Sequence, residues 1–314
     1  MEKEAKIYLA GHDGLVGSAL HRALKARGYE HLVTRSFAEL DLRDQAAVAD
    51  FFATVQPDYV LLAAARVGGI LANNTYPAAF IYDNLMIQAN VIHQSWVQGV
   101  KKLLFLGSSC IYPRMCPQPM TESHLMTGPL EPTNSPYAVA KISGIELCWA
   151  YNRQYGTRFI PVMPTNLYGP YDNFDLETSH VLPALIRKFH EAKMAGQETV
   201  TVWGTGSPMR EFLYVDDMAD GCLFVMDAET GENPMPLYNI GTGIEVTIRE
   251  VAEMIGRIVG FAGKLVFDTG KPDGTPRKLL DVSRLKSLGW QAPTSLETGI
   301  RMTYDWYVTH QAER

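Results

Sequence analysis

Cysteine is scarce in this chain: four in 314 residues, Cys110, Cys116, Cys148 and Cys222, at irregular spacing. No pair of CxxC elements and no Cys/His group with zinc spacing occurs, so neither a disulfide framework nor a metal site is expected. Excess positive charge is missing as well. Lys and Arg total 28 against 34 Asp and Glu, a net charge of −6. That balance gives no reason to expect nucleic acid or an anionic membrane as a partner, and any anion site must be a local pocket of basic residues. Long apolar runs are lacking too. The stretch YVLLAAARVGGILA is broken by Arg66, and the charged opening MEKEAK has no apolar core behind it. No membrane span or export signal is expected, and a reducing cytoplasm is the expected compartment.

What is present is ordinary globular material, 46% hydrophobic and 20% charged, in a chain long enough for one large or two fused domains. Short apolar runs alternate with helical patterns. The runs are KIYLA (6–10), HLVTR (31–35), YVLLAAA (59–65), KLLFLG (102–107), RFIPVM (158–163) and LYNIG (237–241). Between them lie helical patterns at about 15–27, 44–55, 77–98, 136–155 and 215–227. Continuous apolar strands separated by helices indicate an α/β fold, a Rossmann-type doubly wound parallel sheet covered on both faces. From about residue 171 Pro, Gly and Asn become frequent and basic residues recur near loops. The expected division is therefore discontinuous: 1–170 with about 211–241 form a dinucleotide-binding domain, and 171–210 with 242–314 a smaller mixed α/β lobe.

The first strand runs directly into Gly11-His12-Asp13-Gly14-Leu15-Val16-Gly17, which opens a helix. Glycines at this spacing allow a tight turn, close approach of backbone to a pyrophosphate, and close helix–strand packing. The second strand ends Thr34-Arg35-Ser36, with no acid before Glu39. Arg35 suits a 2′-phosphate and points to NADP(H), whereas Asp13 in the glycine loop opposes it.

Residues 135–141 read SPYAVAK. Ser135 suits a helix N-cap and Pro136 the first helical position, placing Tyr137 and Lys141 on one helical face. An ammonium there can lower the phenol pKa, and such a tyrosine exchanges protons with a carbonyl or alkoxide oxygen during hydride transfer. One strand earlier, Ser108, Ser109 and Cys110 close the run LFLGSSCIYP (104–113). If extended backbone persists to Cys110, it shares a face with Ser108. Taken alone, a cysteine there is a small core hydrophobe.

The glycine loop, the serine pair, Tyr137 with Lys141, and MREFLYVDDMA (209–219) make the chain resemble the extended short-chain dehydrogenase/reductase superfamily. Longer stretches narrow the resemblance. VGGILANNTYPAAFIYDN (67–84), LGSSCIYP (106–113), EPTNSPYAVAKISG (131–144), MPTNLYGPYDNFD (163–175), SHVLPALIRKFHEA (179–192), WGTGSPMREF (203–212) and KPDGTPRKLLDVSRL (271–285) are similar to the GDP-L-fucose synthases over essentially the whole chain. That family converts GDP-4-keto-6-deoxy-D-mannose to GDP-L-fucose, inverting carbons 3 and 5 and then reducing the ketone with NADPH.

The resemblance implies roles for matched positions: Cys110 as base and His180 as acid in epimerisation, Tyr137 as proton donor in reduction, Ser108 orienting the carbonyl, and Lys141 supporting Tyr137. For the cofactor it implies Gly11, His12, Gly14, Leu15, Val16, Gly17, Arg35, Asp41, Leu42, Ser109, Lys141, Pro164, Asn166, Leu167 and His180. For the nucleotide sugar it implies Lys188, Trp203, Arg210, Lys264 and Asp273, with Arg277 and Lys278 as further candidates. Asp13 and Phe37 stand where members often carry arginine, which relaxes the preference for NADPH over NADH. A homodimer is expected from the superfamily. Other readings are an epimerase–reductase on a related GDP-4-keto sugar such as a deoxyheptose, a redox-neutral 4-epimerase, a dehydratase, and a nucleotide-sensing binding protein.

Overall fold

Along the first strand, Ile7 and Leu9 face one hydrophobic core while Tyr8 and Ala10 face another. Both faces of the strand are covered, which is why the run is apolar throughout instead of alternating. A computed structural model describes residues 1–271 and 273–310.

The chain begins β1 (Ile7–Ala10), α1 (Leu15–Ala26), β2 (Leu32–Val33), α2 (Gln45–Val55), β3 (Tyr59–Leu62), α3 (Ile70–Thr75), α4 (Pro77–Val97) and β4 (Lys102–Leu106). It continues through α5 (Ser135–Tyr155), β5 (Phe159–Pro164), β6 (Asn166–Tyr168), α6 (Val181–Met194), β7 (Thr199–Trp203), β8 (Met209–Tyr214), α7 (Val215–Ala228) and β9 (Tyr238–Ile240). The last elements are β10 (Glu245–Thr247), α8 (Ile248–Val259), β11 (Lys264–Asp268), β12 (Arg277–Lys278), α9 (Ser283–Ser287) and α10 (Leu296–His310).

Six parallel strands form the main sheet in the order β2-β1-β3-β4-β5-β9. The order reverses direction between β1 and β3, and ligands bind outside the carboxyl ends of strands at such a switch point. One core lies under α1 and α7, and a second under α2, α4 and α5. The helix ends follow local chemistry. Asp44 caps α2 through two backbone N–H groups, and Gly156 closes α5 with φ +68°, a left-handed geometry that glycine adopts without strain. The start of α5 differs from expectation. Asn134, not Ser135, is the flanking residue and makes no side-chain cap, while Ser135 is already helical.

A third core joins Tyr168, Phe174, α6, β7, β8, α8 and α10. On β8, Phe212 and Tyr214 face this core while Leu213 faces the first, so one strand couples the two lobes. Around β8 a small sheet forms: β10 pairs antiparallel, β12 parallel, and β6 parallel further along. Strands β7 and β11 pair as a separate parallel ribbon. Among the described residues, no helix is long and apolar enough to cross a membrane.

Candidate active site

The glycine loop meets the demands of a dinucleotide pyrophosphate. Gly11 has φ +84°, and a Cβ at Gly17 would overlap the Gly11 carbonyl, so both positions require glycine for the fold itself. Gly14 is different. A Cβ there would meet nothing closer than 3.9 Å, so its face is open, at the start of α1 where no side chain caps the helix. Unsatisfied N–H groups and the helix dipole point at that opening. His12 adds a buried Nδ1 that has no partner in the protein, while its Nε2 pairs with Asp13 at 2.9 Å. Leu15 and Val16 pack on the first core and Leu42 in the second. Arg35 is exposed, lies over the Phe51 ring, and donates to the Thr34 carbonyl at 2.7 Å. Asp41 is engaged by the Arg43 guanidinium, which also reaches Asp83.

At the exit of β4 the expected extended continuation fails. The strand ends at Leu106, Ser108 is extended with φ −159°, and Ser109–Ile111 form a single 3₁₀ turn. The cause is local: the Ser108 hydroxyl accepts the Cys110 main-chain N–H at 3.3 Å, a serine cap that competes with the strand. Cys110 therefore approaches Ser108 by turning back, not by sharing a strand face. Ser109 is buried, and Cys110 keeps a partly open surface.

Tyr137 comes from the first turn of α5, its ring edge-on to Phe80 at 6.2 Å. Its hydroxyl lies beside the Ser108 side chain. Burial holds the phenol well above its ordinary value and the neighbouring Cys110 adds to this, with Ser108 opposing. The expected lowering by Lys141 is not seen in this state. Lys141 is only 4% exposed, donates to the Leu106 carbonyl at 2.8 Å, and lies 5.9 Å from the Tyr137 ring centre. Its own desolvation pushes its pKa down to about 7.

His180 occupies the N-cap position of α6, its carbonyl accepting the Ala184 N–H at 3.1 Å while its side chain makes no cap hydrogen bond. The residue keeps an open face to solvent while protein crowds its ring. Burial, then the Lys278 ammonium, hold it below the usual histidine range. Lys278 Nζ also lies 3.5 Å from Cys110 Sγ. Two further buried polar atoms, Asn134 Oδ1 before α5 and Ser179 Oγ before His180, lack protein partners. Asn166 and Thr165 both donate to the Glu211 carbonyl, at 2.8 and 3.3 Å, holding β6 to β8 just past Pro164, the last residue of β5. Leu167 packs on the first core.

In the smaller lobe Trp203 is 62% exposed at the end of β7, with Lys188 Nζ 5.1 Å and Lys271 Nζ 5.4 Å from its ring centre. Burial lowers the Lys188 pKa. Asp273 anchors Thr205 through its N–H at 2.9 Å and its hydroxyl at 2.7 Å, and its charge opposes the lowering that burial imposes on Arg210. Lys264 does not join this group. It starts β11 opposite Thr199, whereas Asp268 at the far end lies opposite Trp203, a separation of roughly 13 Å at strand rise. Lys271, not Lys264, lies beside Trp203. Arg277 faces out and pairs with Glu245 at 2.6 Å. Sequence reasoning passed over Lys271 and ranked Lys278 low. Lys271 follows β11 in a loop and carries no local signal, and Lys278 is turned toward Cys110 only by its place on β12.

Residues 7–241 match the NAD dependent epimerase/dehydratase family. The chain belongs to that family. Within it, the GDP-L-fucose synthase of Escherichia coli (strain K12) is 57% identical over 312 residues, covering 98% of this chain and 97% of the relative. A solved GDP-L-fucose synthetase from Naegleria fowleri bound to NADP has a TM-score of 0.92 at 31% identity, covering 99% of this chain and 95% of that one. A GDP-mannoheptose C4 reductase from Campylobacter jejuni with NADP bound has a TM-score of 0.90 at 43% identity, covering 98% of this chain and 99% of that one. In this member of the epimerase/dehydratase family, Ser108, Cys110 and Tyr137 lie together at the exit of β4, Lys141 reaches the last carbonyl of β4, and Lys278 links Cys110 to β12.

Proposed function

We propose that the protein converts GDP-4-keto-6-deoxy-D-mannose to GDP-L-fucose as a bifunctional epimerase–reductase using NADP(H). The carrying observation is that Ser108, Tyr137 and Cys110 meet at one turn, so proton transfer at oxygen and at carbon can act on one bound sugar. The 4-keto group acidifies the hydrogens on carbons 3 and 5. Cys110 takes such a proton from one face, and His180 returns one from the other, its depressed pKa favouring release. Ser108 orients the carbonyl, and Asn134 and Ser179 offer unpaired polar atoms for sugar hydroxyls. NADPH, when bound at the glycine loop, supplies the hydride to carbon 4. Tyr137 gives its proton to the carbonyl oxygen as the hydride arrives, and Lys141 holds the ribose side of the site while stabilising the phenolate that forms.

In this reading residues 1–170 with about 211–241 hold the dinucleotide, and 171–210 with 242–314 hold the sugar nucleotide. Lys188, Lys271, Trp203 and Arg210 are suited to a base and a diphosphate. We place the protein in the cytoplasm as a homodimer, with the exposed Tyr82, Val97, Val139 and Tyr155 of α4 and α5 forming the seam.

The test is to supply the sugar nucleotide with NADPH and follow cofactor oxidation with product NMR. One NADPH oxidised per GDP-L-fucose formed is expected. No net oxidation identifies a redox-neutral 4-epimerase, and turnover of a GDP-4-keto-deoxyheptose with this sugar untouched identifies a heptose enzyme.

A further inference from the structure

Lys278 reaches the active-site turn from the opposite lobe. It lies on β12, in register with Arg210 of β8. Successive side chains on a strand point to opposite sides. Arg277 accordingly turns out to Glu245, and Lys278 turns in to Cys110, its Nζ 3.5 Å from Sγ. The residues that follow are pinned on both sides. The Leu279 N–H donates to the Gln118 side chain at 2.8 Å, and the Leu280 N–H donates to the buried Glu211 carboxylate at 2.9 Å. The Asp281 N–H donates to the Met120 carbonyl at 2.8 Å. Gln118 and Met120 belong to the loop that leaves the Cys110 turn, so thiol and ammonium are fixed to one frame.

We infer that Lys278 is a positioning residue for the carbon-acid step, its ammonium holding the Cys110 sulfur as a thiolate aimed into the cleft. The inference rests on Cys110 being the base. In the step, the sulfur takes the carbon-bound proton, the electron pair of the C–H bond moves onto the substrate carbonyl oxygen, and the resulting thiol later yields its proton to solvent. Lys278 remains an ammonium throughout. The titratable groups beside the sulfur are Tyr137 on α5 and Lys278 on β12, and Lys278 in turn acts on His180 at the head of α6. Of these, Lys278 is the basic side chain that contacts the sulfur, its Nζ 3.5 Å away. Thiolates, not thiols, are alkylated, and a neighbouring cation raises the thiolate fraction.

The test uses the whole enzyme without substrate. Iodoacetamide labelling of Cys110 is followed by peptide mass spectrometry from pH 5 to 9 in the wild type, Lys278→Met and Lys278→Arg. The fully buried Cys148 and Cys222 serve as the folding control. Lys278→Met is expected to slow Cys110 labelling at pH 7 by about tenfold and move its profile to higher pH, with Lys278→Arg restoring most of the rate. If Lys278→Met exposes Cys148 or Cys222, Lys278→Gln carries the same expectation. Unchanged Cys110 labelling in a folded variant, even with a raised KM for the sugar nucleotide, overturns the inference and makes Lys278 a phosphate ligand only. Labelling requires neither sugar nor cofactor. A wild type that shows the thiolate but no substrate exchange would instead overturn the proposed function.

Discussion

The Ser108 hydroxyl accepts the Cys110 main-chain N–H at 3.3 Å, beside the Tyr137 phenol. In the proposed mechanism, the group that orients the ketone therefore also fixes the group that removes a proton from carbon. Both chemistries depend on one serine cap, and substitutions around it separate them only if the cap survives.

Tyr137→Phe keeps the ring against Phe80 and removes the hydroxyl. NADPH oxidation with the sugar nucleotide should fall by roughly 10²–10⁴-fold, the usual worth of a positioned acid. Deuterium wash-in from heavy water at carbons 3 and 5 should persist, because Cys110 and its cap are untouched. Loss of both together would mean that the phenol also serves the carbon acid.

Lys141 gives a pH dependence of stability. Its folded pKa, about 7, lies below the ordinary lysine value, so between the two the unfolded chain holds a proton that the folded chain lacks. Raising the pH through that window favours the folded state, and the benefit is lost as pH falls toward 7. Urea unfolding of the cofactor-free protein from pH 7 to 9, compared with Lys141→Met, should show the wild type gaining up to about 1.4 kcal/mol per pH unit. Equal slopes would place Lys141 in a more hydrated setting.

Gly17→Ala tests the dinucleotide loop. The added methyl would overlap the Gly11 carbonyl, so α1 must move away from β1. NADPH binding, read by fluorescence titration, should weaken at least tenfold, with a stability loss of roughly 1–3 kcal/mol. Gly14→Ala, with open space around its Cβ, should fold normally and lose only the cofactor.

Glu211 is wholly buried, and its carboxylate accepts the N–H groups of Thr242 at 2.7 Å, Gly243 at 2.8 Å and Leu280 at 2.9 Å. Burial raises its pKa, and these bonds oppose the rise. Glu211→Gln turns an amide N–H₂ toward N–H donors and should cost roughly 2–3 kcal/mol in urea unfolding.

The sheet and helices were legible because each is coded locally. Alternating runs and helical patterns located β1, β3, β4 and β5 within a few residues, and Gly156 marked the end of α5. What was not legible depends on chain segments far apart in sequence or on competition between local bonds. Lys271 and Lys264 look alike in sequence, and only the register of β7 with β11 leaves Lys264 at the wrong end. Lys278 gains meaning from Glu211 and Gln118, 67 and 160 residues earlier in the numbering. The 3₁₀ turn at Cys110 was not legible, because the Ser108 cap outcompetes the strand.

The most direct measurement compares wild type and Cys110→Ser in deuterated water with GDP-4-keto-6-deoxy-D-mannose and NADPH, scoring deuterium at carbons 3 and 5 against NADPH oxidised. The account predicts deuterium at both carbons in the wild-type product, and a Cys110→Ser protein that loses exchange far more than hydride transfer. Wild-type oxidation without deuterium at those carbons, or unchanged exchange in Cys110→Ser, would contradict it.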